Sequence, residues 1–99
     1  MNMQALMREA QKMQKELLKT QEVLNNTEYS SESSFVSVVV NGNKEIKSIN
    51  INMDEDISKD DIEMLEDIIL VACNDALTKA EKDKEKKMSK YGSALSGLM

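Results

Sequence analysis

An apolar stripe across residues 62–80 is the feature that most constrains the fold. Its members recur every three or four residues, which is the period of one helix face. They are Ile62, Leu65, Ile69, Ala72, Ala76 and Ala80. The stripe is wider than a coiled-coil seam, because it also takes in Ile68, Cys73 and Leu77. We therefore expect a helix from about Lys59 to about Lys90 that starts after Ser58 and packs on a sheet.

A heptad pattern in the first 24 residues predicts another long helix. Its seam consists of Met3, Leu6, Ala10, Met13, Leu17, Thr20 and Leu24. The basic side chains of this segment fall on the opposite face and are Arg8, Lys12, Lys15 and Lys19. Solvated lysines on an exposed helix face are ordinary, so this pattern has a plain structural interpretation beside a functional one.

Residues 35–53 predict a β-hairpin. One strand alternates through Val36, Val38 and Val40, and its partner alternates through Ile49, Ile51 and Met53. Asn41-Gly42 between them is typical of a type I′ turn, which needs a positive φ at the glycine. Ile46 falls on the other face of the return strand, so the register stays open. The polar residues 25–34 before the hairpin are either a loop or a weakly marked first strand.

Charge is segregated along the chain. The net charge is −5, and residues 54–67 carry eight acidic side chains against one lysine, which gives −7. Residues 79–91 carry six lysines against three acids, which gives +3. Acid at the start of a helix and base towards its end also suit the helix dipole, which is the plain interpretation of this order.

Composition argues against catalysis. Histidine is absent, which excludes Ser/His and Cys/His pairs, and the three isolated glycines cannot form a phosphate loop. The acids near Asp54 lack the glycine and glutamate of a calcium loop, so we expect no metal and no cofactor. Cys73 on the apolar stripe is expected to be inert. With no signal peptide, no membrane span and no disulfide pair, we expect a cytoplasmic protein that is not an enzyme and has no small-molecule substrate.

Several short segments resemble one family. They are Met64–Asp67, Ala72 and Asn74–Ala76 in the second helix, Leu6–Gln14 in the first, Asn41-Gly42 at the turn, and Met53-Asp54 after the return strand. Together they resemble the YbaB/EbfC family of bacterial nucleoid-associated proteins, over roughly Ala5 to Tyr91. One departure lies in residues 25–34, where serines stand in place of the usual glycines.

The resemblance implies an α+β subunit, in which a long N-terminal helix, a three-stranded antiparallel sheet and a long C-terminal helix build an intertwined homodimer. Residues 1–91 would form this single domain and residues 92–99 a flexible tail. The expected core and dimer residues are Leu65, Ile69, Ala72, Ala76, Ala80, Val36, Val38, Ile49 and Ile51.

Two functions are open at this point. The first is duplex DNA binding in the nucleoid by a homodimer, mainly through backbone contacts, with effects on nucleoid organisation and gene expression. Its expected contacts are Arg8, Lys12, Lys15, Lys19, Lys79, Lys82, Lys86, Lys87 and Lys90. The second is a protein-interaction adaptor, for example for recombination or replication proteins, whose DNA affinity is incidental. The net charge of −5 favours the second, and the resemblance favours the first.

Overall fold

The computed structural model describes the backbone of residues 2–98 and the side chains of residues 2–92. The elements in chain order are α1 (Met3–Asn26), β1 (Glu28–Ser33), β2 (Val36–Asn41), β3 (Ile46–Ile51), a 3₁₀ turn (Lys59–Asp61) and α2 (Ile62–Leu98). The strands form one antiparallel sheet in the order β1-β2-β3. The predicted fold class, with two long helices around a three-stranded sheet, is confirmed.

The core lies between α2 and the first two strands. It consists of Val36, Val38, Val40, Leu65, Ala72, Ala76 and Ala80. The three alanines form a smooth ridge, so the backbone of α2 can lie close to the sheet. Ile69 of the stripe and the three residues that widen it, Ile68, Cys73 and Leu77, are half-buried against this core. The width of the stripe thus matches a helix that packs on a sheet.

The third strand, β3, lies outside the part of the sheet that α2 covers. Ile49 and Ile51 pair across from Val38 and Val36, so they share the apolar face of the sheet. Yet α2 packs over β1 and β2, and every residue of β3 is exposed. Ile49 and Ile51 were predicted in a combined core and dimer set, and they are not part of the core of the single chain.

A bulge in β3 settles the register. Val39 pairs with Ser48, and Val40 pairs with Ile46, so Lys47 is left without a partner on β2. One extra residue reverses the alternation of side chains from that point. Ile46 therefore lies across from Val40, on the same face as Ile49 and Ile51.

The connection between β2 and β3 differs from the predicted turn. No glycine in the described part of the chain has a positive φ, and the left-handed residue of this connection is Lys44, at a φ of 64°. The Lys44 N–H donates to the Asn41 carbonyl at 3.0 Å, and the Asn41 N–H donates to the Glu45 carbonyl at 3.0 Å. This is a three-residue hairpin loop with a left-handed third residue. The type I′ prediction was wrong, although the hairpin is where Asn41-Gly42 indicated.

Gly42 is required for a different reason. A Cβ atom at Gly42 would lie 1.8 Å from the carbonyl oxygen of Leu24, near the end of α1. The Gly42 N–H also donates to the Thr27 carbonyl at 3.1 Å. The absence of a side chain thus lets the hairpin loop lie directly against α1.

Residues 25–34, for which the sequence allowed either a loop or a strand, include β1. Its sequence is polar, and its one buried side chain is Ser31. A two-residue turn then leads into β2, and Ser34 in that turn adopts a φ of 53°. This left-handed conformation is one that glycine tolerates and serine adopts at some cost.

The C-terminal helix is longer than predicted. It continues to Leu98 rather than ending near Lys90. No proline interrupts residues 91–98, and a glycine inside a helix costs only about 1 kcal/mol relative to alanine. The side chains of residues 93–98 and all of Met99 lie outside the described part of the chain, so a flexible tail at 92–99 stays a prediction.

Candidate nucleic-acid interface

The two long helices contact each other within an elongated molecule. The chain extends over 71 × 20 × 14 Å. Thr20 of α1 and Tyr91 of α2 share a hydrogen bond of 3.0 Å between their hydroxyl groups. Leu24 and Tyr91 are buried there. This contact places the C-terminal half of α1 beside the lysine-rich part of α2.

A cleft between these helices gathers lysines from both. Its apolar and hydroxyl lining is formed by Thr20, Val23, Leu24 and Tyr91. Its charged residues are Lys19, Lys86, Lys87 and Lys90, with Glu16 as the single acid. The Lys90 ammonium lies 5.0 Å from the centre of the Tyr91 ring, within range of a cation–π contact. Four of the nine basic residues singled out in the sequence thus lie around one cleft.

The other basic residues of α1 lie further along the helix. Arg8, Lys12 and Lys15 are exposed on its N-terminal turns. The heptad seam on the opposite face of α1 is also open in the single chain, where Met3, Leu6 and Met13 are exposed. Beyond the cleft, α1 thus has one basic face and one exposed apolar face.

The remaining predicted contacts of α2 lie outside the cleft. The Lys79 ammonium donates to the Ser30 carbonyl at 2.9 Å and lies 3.6 Å from the Asp75 carboxylate. Lys79 therefore ties α2 to β1, which is a structural role. Lys82 is exposed on the same helix.

Acidic groups of α2 hold the sheet in place. The Ser31 hydroxyl donates to the Asp75 carboxylate at 2.6 Å. This hydrogen bond, followed by the charge of Lys79, keeps the pKa of Asp75 below its usual value. Asp75, which belongs to the family-like segment Asn74–Ala76, thus fixes α2 to β1.

A second link joins β1 to α2 near the cleft. The Tyr29 hydroxyl donates to the Asp83 carboxylate, and the Lys87 ammonium lies 3.1 Å from the same oxygen. The hydrogen bond from Tyr29, followed by that from Lys87, keeps the pKa of Asp83 below its usual value. Burial and the neighbouring carboxylate raise the pKa of Tyr29 to about 12. The sequence gave no sign of this link, because Tyr29 and Asp83 are 54 positions apart.

The hairpin loop is held to the same helix. The Lys44 ammonium lies 2.9 Å from the Glu81 carboxylate. The left-handed backbone of Lys44 thus occurs at a residue that ties the loop to α2. Because Gly42 of this loop lies against α1, the loop contacts both helices.

No described helix is long and apolar enough to cross a membrane. Within the same part of the chain, no three His, Cys, Asp or Glu side chains are grouped so that they could hold a metal ion.

Known proteins share this sequence and fold. A nucleoid-associated protein of Enterococcus faecalis is 39% identical, over 98% of this chain and 94% of the relative. A nucleoid-associated protein of Ruminiclostridium cellulolyticum is 46% identical, over 98% of this chain and 85% of the relative. A crystal structure of an uncharacterized protein from Helicobacter pylori superimposes with a TM-score of 0.72 at 25% identity, over 92% of this chain and 97% of the other. The model of the YbaB/EbfC DNA-binding family matches residues 1–95, and the chain belongs to this family.

Proposed function

We propose that this protein binds duplex DNA in the bacterial nucleoid as a homodimer, mainly through contacts to phosphates. In this role it is a cytoplasmic binding protein rather than an enzyme, and it affects nucleoid organisation and gene expression. The observation that carries the proposal is the convergence of Lys19, Lys86 and Lys90 around one cleft. Family membership and the names of the relatives support the nucleic-acid partner and the nucleoid location.

The chemistry of the cleft suits phosphates better than bases. Its cations are ammonium groups on flexible stems, which act as point charges. Base readout in the major groove favours the planar, bidentate guanidinium group, and the one arginine, Arg8, lies on α1 away from the cleft. Tyr91 is buried, so it offers no platform for stacking with single-stranded bases. Phosphate neutralisation should therefore dominate the affinity.

The acidic run at residues 54–67 does not oppose this site, because it lies far from the cleft along α2. Ile62 and Lys86 are separated by about 36 Å along α2, at about 1.5 Å per residue. The screening length at physiological ionic strength is about 8 Å. Repulsion from the acidic residues 54–67 is thus screened at the cleft, while the lysines act at close range.

The exposed apolar surface supports a homodimer. The apolar face of β3 presents Ile46, Ile49 and Ile51 to solvent, and the N-terminal turns of α1 present Met3, Leu6 and Met7. Such contiguous surfaces are unusual on a monomer of this size. A second copy that covers them would also double the number of basic clefts available to one duplex.

The dimer can be tested on β3. Ile49→Lys is expected to shift the protein from dimer to monomer in sedimentation velocity at micromolar concentration, because it places a charge in the apolar face. Asn50→Lys is the matched control, since Asn50 is the next residue on the same strand, points to the other face and is also exposed. A parent protein that sediments as a monomer, or an Ile49→Lys variant that remains a dimer, would contradict the proposal.

The DNA site is tested by a triple substitution of Lys19, Lys86 and Lys90 to glutamine. Each phosphate contact contributes about 0.9 to the slope of log affinity against log salt concentration. The triple variant should therefore lose up to about 2.7 of this slope and bind all duplex sequences more weakly. Titration of labelled duplexes at several salt concentrations measures both quantities.

The matched control replaces three exposed lysines outside the cleft by glutamine, namely Lys47, Lys59 and Lys84, and removes the same formal charge. This control should keep most of the slope. Equal slopes for the two triple variants would refute the cleft as the site. A parent protein without any shift at low salt would refute DNA binding and favour the adaptor function.

A further inference from the structure

Lys87 differs from the other lysines of the cleft. Its ammonium lies 3.1 Å from the carboxylate of Asp83, one turn earlier on α2. Among the side chains that the structure describes, Lys19, Lys86 and Lys90 have no carboxylate within ion-pair distance. One of the four cleft cations is therefore already neutralised by a group of the protein itself.

The carboxylate that neutralises Lys87 is not free to turn away. The same oxygen accepts the hydroxyl hydrogen bond of Tyr29, which extends from β1. The Asp83 side chain is 23% exposed, whereas that of Lys87 is 49% exposed. Tyr29 thus holds the anion from the sheet side, and Lys87 approaches it from the solvent side. An ordinary ion pair one turn apart on a helix surface lacks such a second anchor.

The anion is present under the conditions in which DNA would bind. The hydrogen bonds from Tyr29 and Lys87 hold the pKa of Asp83 below its usual value, so the group is ionised at neutral pH. The pKa of Tyr29 is raised to about 12, so its hydroxyl keeps the proton that it donates. Both partners of the anchor are therefore in the required protonation state.

We propose that Asp83 is a positioning residue that restrains DNA affinity by keeping Lys87 from neutralising a phosphate. A phosphate that approaches Lys87 must either displace the anchored carboxylate or remain close to it, and the carboxylate repels it in both cases. Lys87 then contributes little to the salt slope, although it lines the cleft. This inference rests on the proposed DNA-binding function and concerns how strongly the same site binds.

Asp83→Asn is the direct test, by titration of duplex DNA at several salt concentrations. The amide oxygen of the variant can still accept the Tyr29 hydroxyl, so the link between β1 and α2 is kept. Release of Lys87 should tighten binding at low salt and increase the salt slope by up to about 0.9. Glu85→Gln is the matched control, because it removes the same charge from an exposed residue two positions later on α2 that makes no described contact with Lys87.

A double-mutant cycle with Lys87→Gln separates the restraint of Lys87 from the general loss of a negative charge. If Asp83 restrains Lys87, then in a Lys87→Gln background Asp83→Asn should increase DNA affinity by little more than Glu85→Gln does. Additive effects of Asp83→Asn and Lys87→Gln would overturn the inference and leave the proposed function standing. If the parent and every variant fail to bind duplex DNA at low salt, the inference and the proposed function both fail. Thermal unfolding of each variant checks that the fold is kept.

Discussion

Gly42→Ala is expected to destabilise the protein severely, although it adds a single methyl group. The added carbon would lie 1.8 Å from the Leu24 carbonyl oxygen and 2.5 Å from its carbon, so backbone must move on one side of the contact. Overpacking of a rigid contact costs roughly 1–3 kcal/mol and sometimes more, and we expect the upper end of this range. Urea unfolding, followed by circular dichroism, measures the change in the free energy of unfolding.

Gly92→Ala provides the matched control. A Cβ atom at Gly92 would meet no other atom within 4 Å. Gly92 lies within α2, where alanine is favoured over glycine by about 1 kcal/mol. The control should therefore leave stability unchanged or raise it. If Gly42→Ala unfolds at the same urea concentration as the parent, the loop does not lie against α1 as described.

Leu65→Ala is expected to cost roughly 2–5 kcal/mol of unfolding free energy, the range for a buried leucine that is truncated. Leu65 is buried and packs in the cluster with the three valines of β2. Its neighbours along the core are alanines, which have little side chain with which to fill a cavity. The loss should therefore not be recovered by local rearrangement.

Leu70→Ala is the matched control on the same helix. Leu70 is 60% exposed, so its truncation should change the free energy of unfolding of the single chain by no more than about 0.5 kcal/mol. Equal destabilisation by the two substitutions would mean that α2 is rotated relative to the sheet. Such a rotation would also remove the alanine ridge from the interface.

The second helix was predictable because its apolar stripe marks the face that is buried. The stripe from Leu65 to Ala80 lies on the sheet, whereas Ile62, which was predicted on the same face, is exposed at the start of α2. The width of the stripe indicates a sheet rather than a partner helix. In β2 the alternation of Val36, Val38 and Val40 does the same. In these segments local pattern and tertiary packing agree, so the sequence suffices.

The first strand shows where sequence patterns fail. Ser31 is buried because its hydroxyl donates to Asp75 on α2. Hydrophobic alternation cannot detect a strand whose inward side chain is polar and whose partner is 44 positions away. The bulge at Lys47 is similar, since one unpaired residue moved Ile46 to the apolar face without any local signal.

The sequence identified candidate phosphate contacts, but it could not separate the lysines of the cleft from a lysine with a structural role. Lys79 and Lys86 look alike in a lysine-rich run, yet Lys79 holds β1 and Lys86 faces the cleft. Which lysines face the cleft depends on the contact between α1 and α2 at Thr20 and Tyr91. Nothing in either segment alone specifies that contact.

The separation of charge along the chain bears on how the protein would approach DNA under the proposed function. With −7 at residues 54–67, before and at the start of α2, and +3 at residues 79–91 further along it, the chain carries an electric dipole along the direction of α2. In the field of a duplex this dipole exerts a torque that turns the lysine-rich end towards the phosphates and the acidic end away. Under the proposed function, orientation would precede contact, and a chain whose net charge is repelled as a whole would still reach the duplex with its cleft foremost.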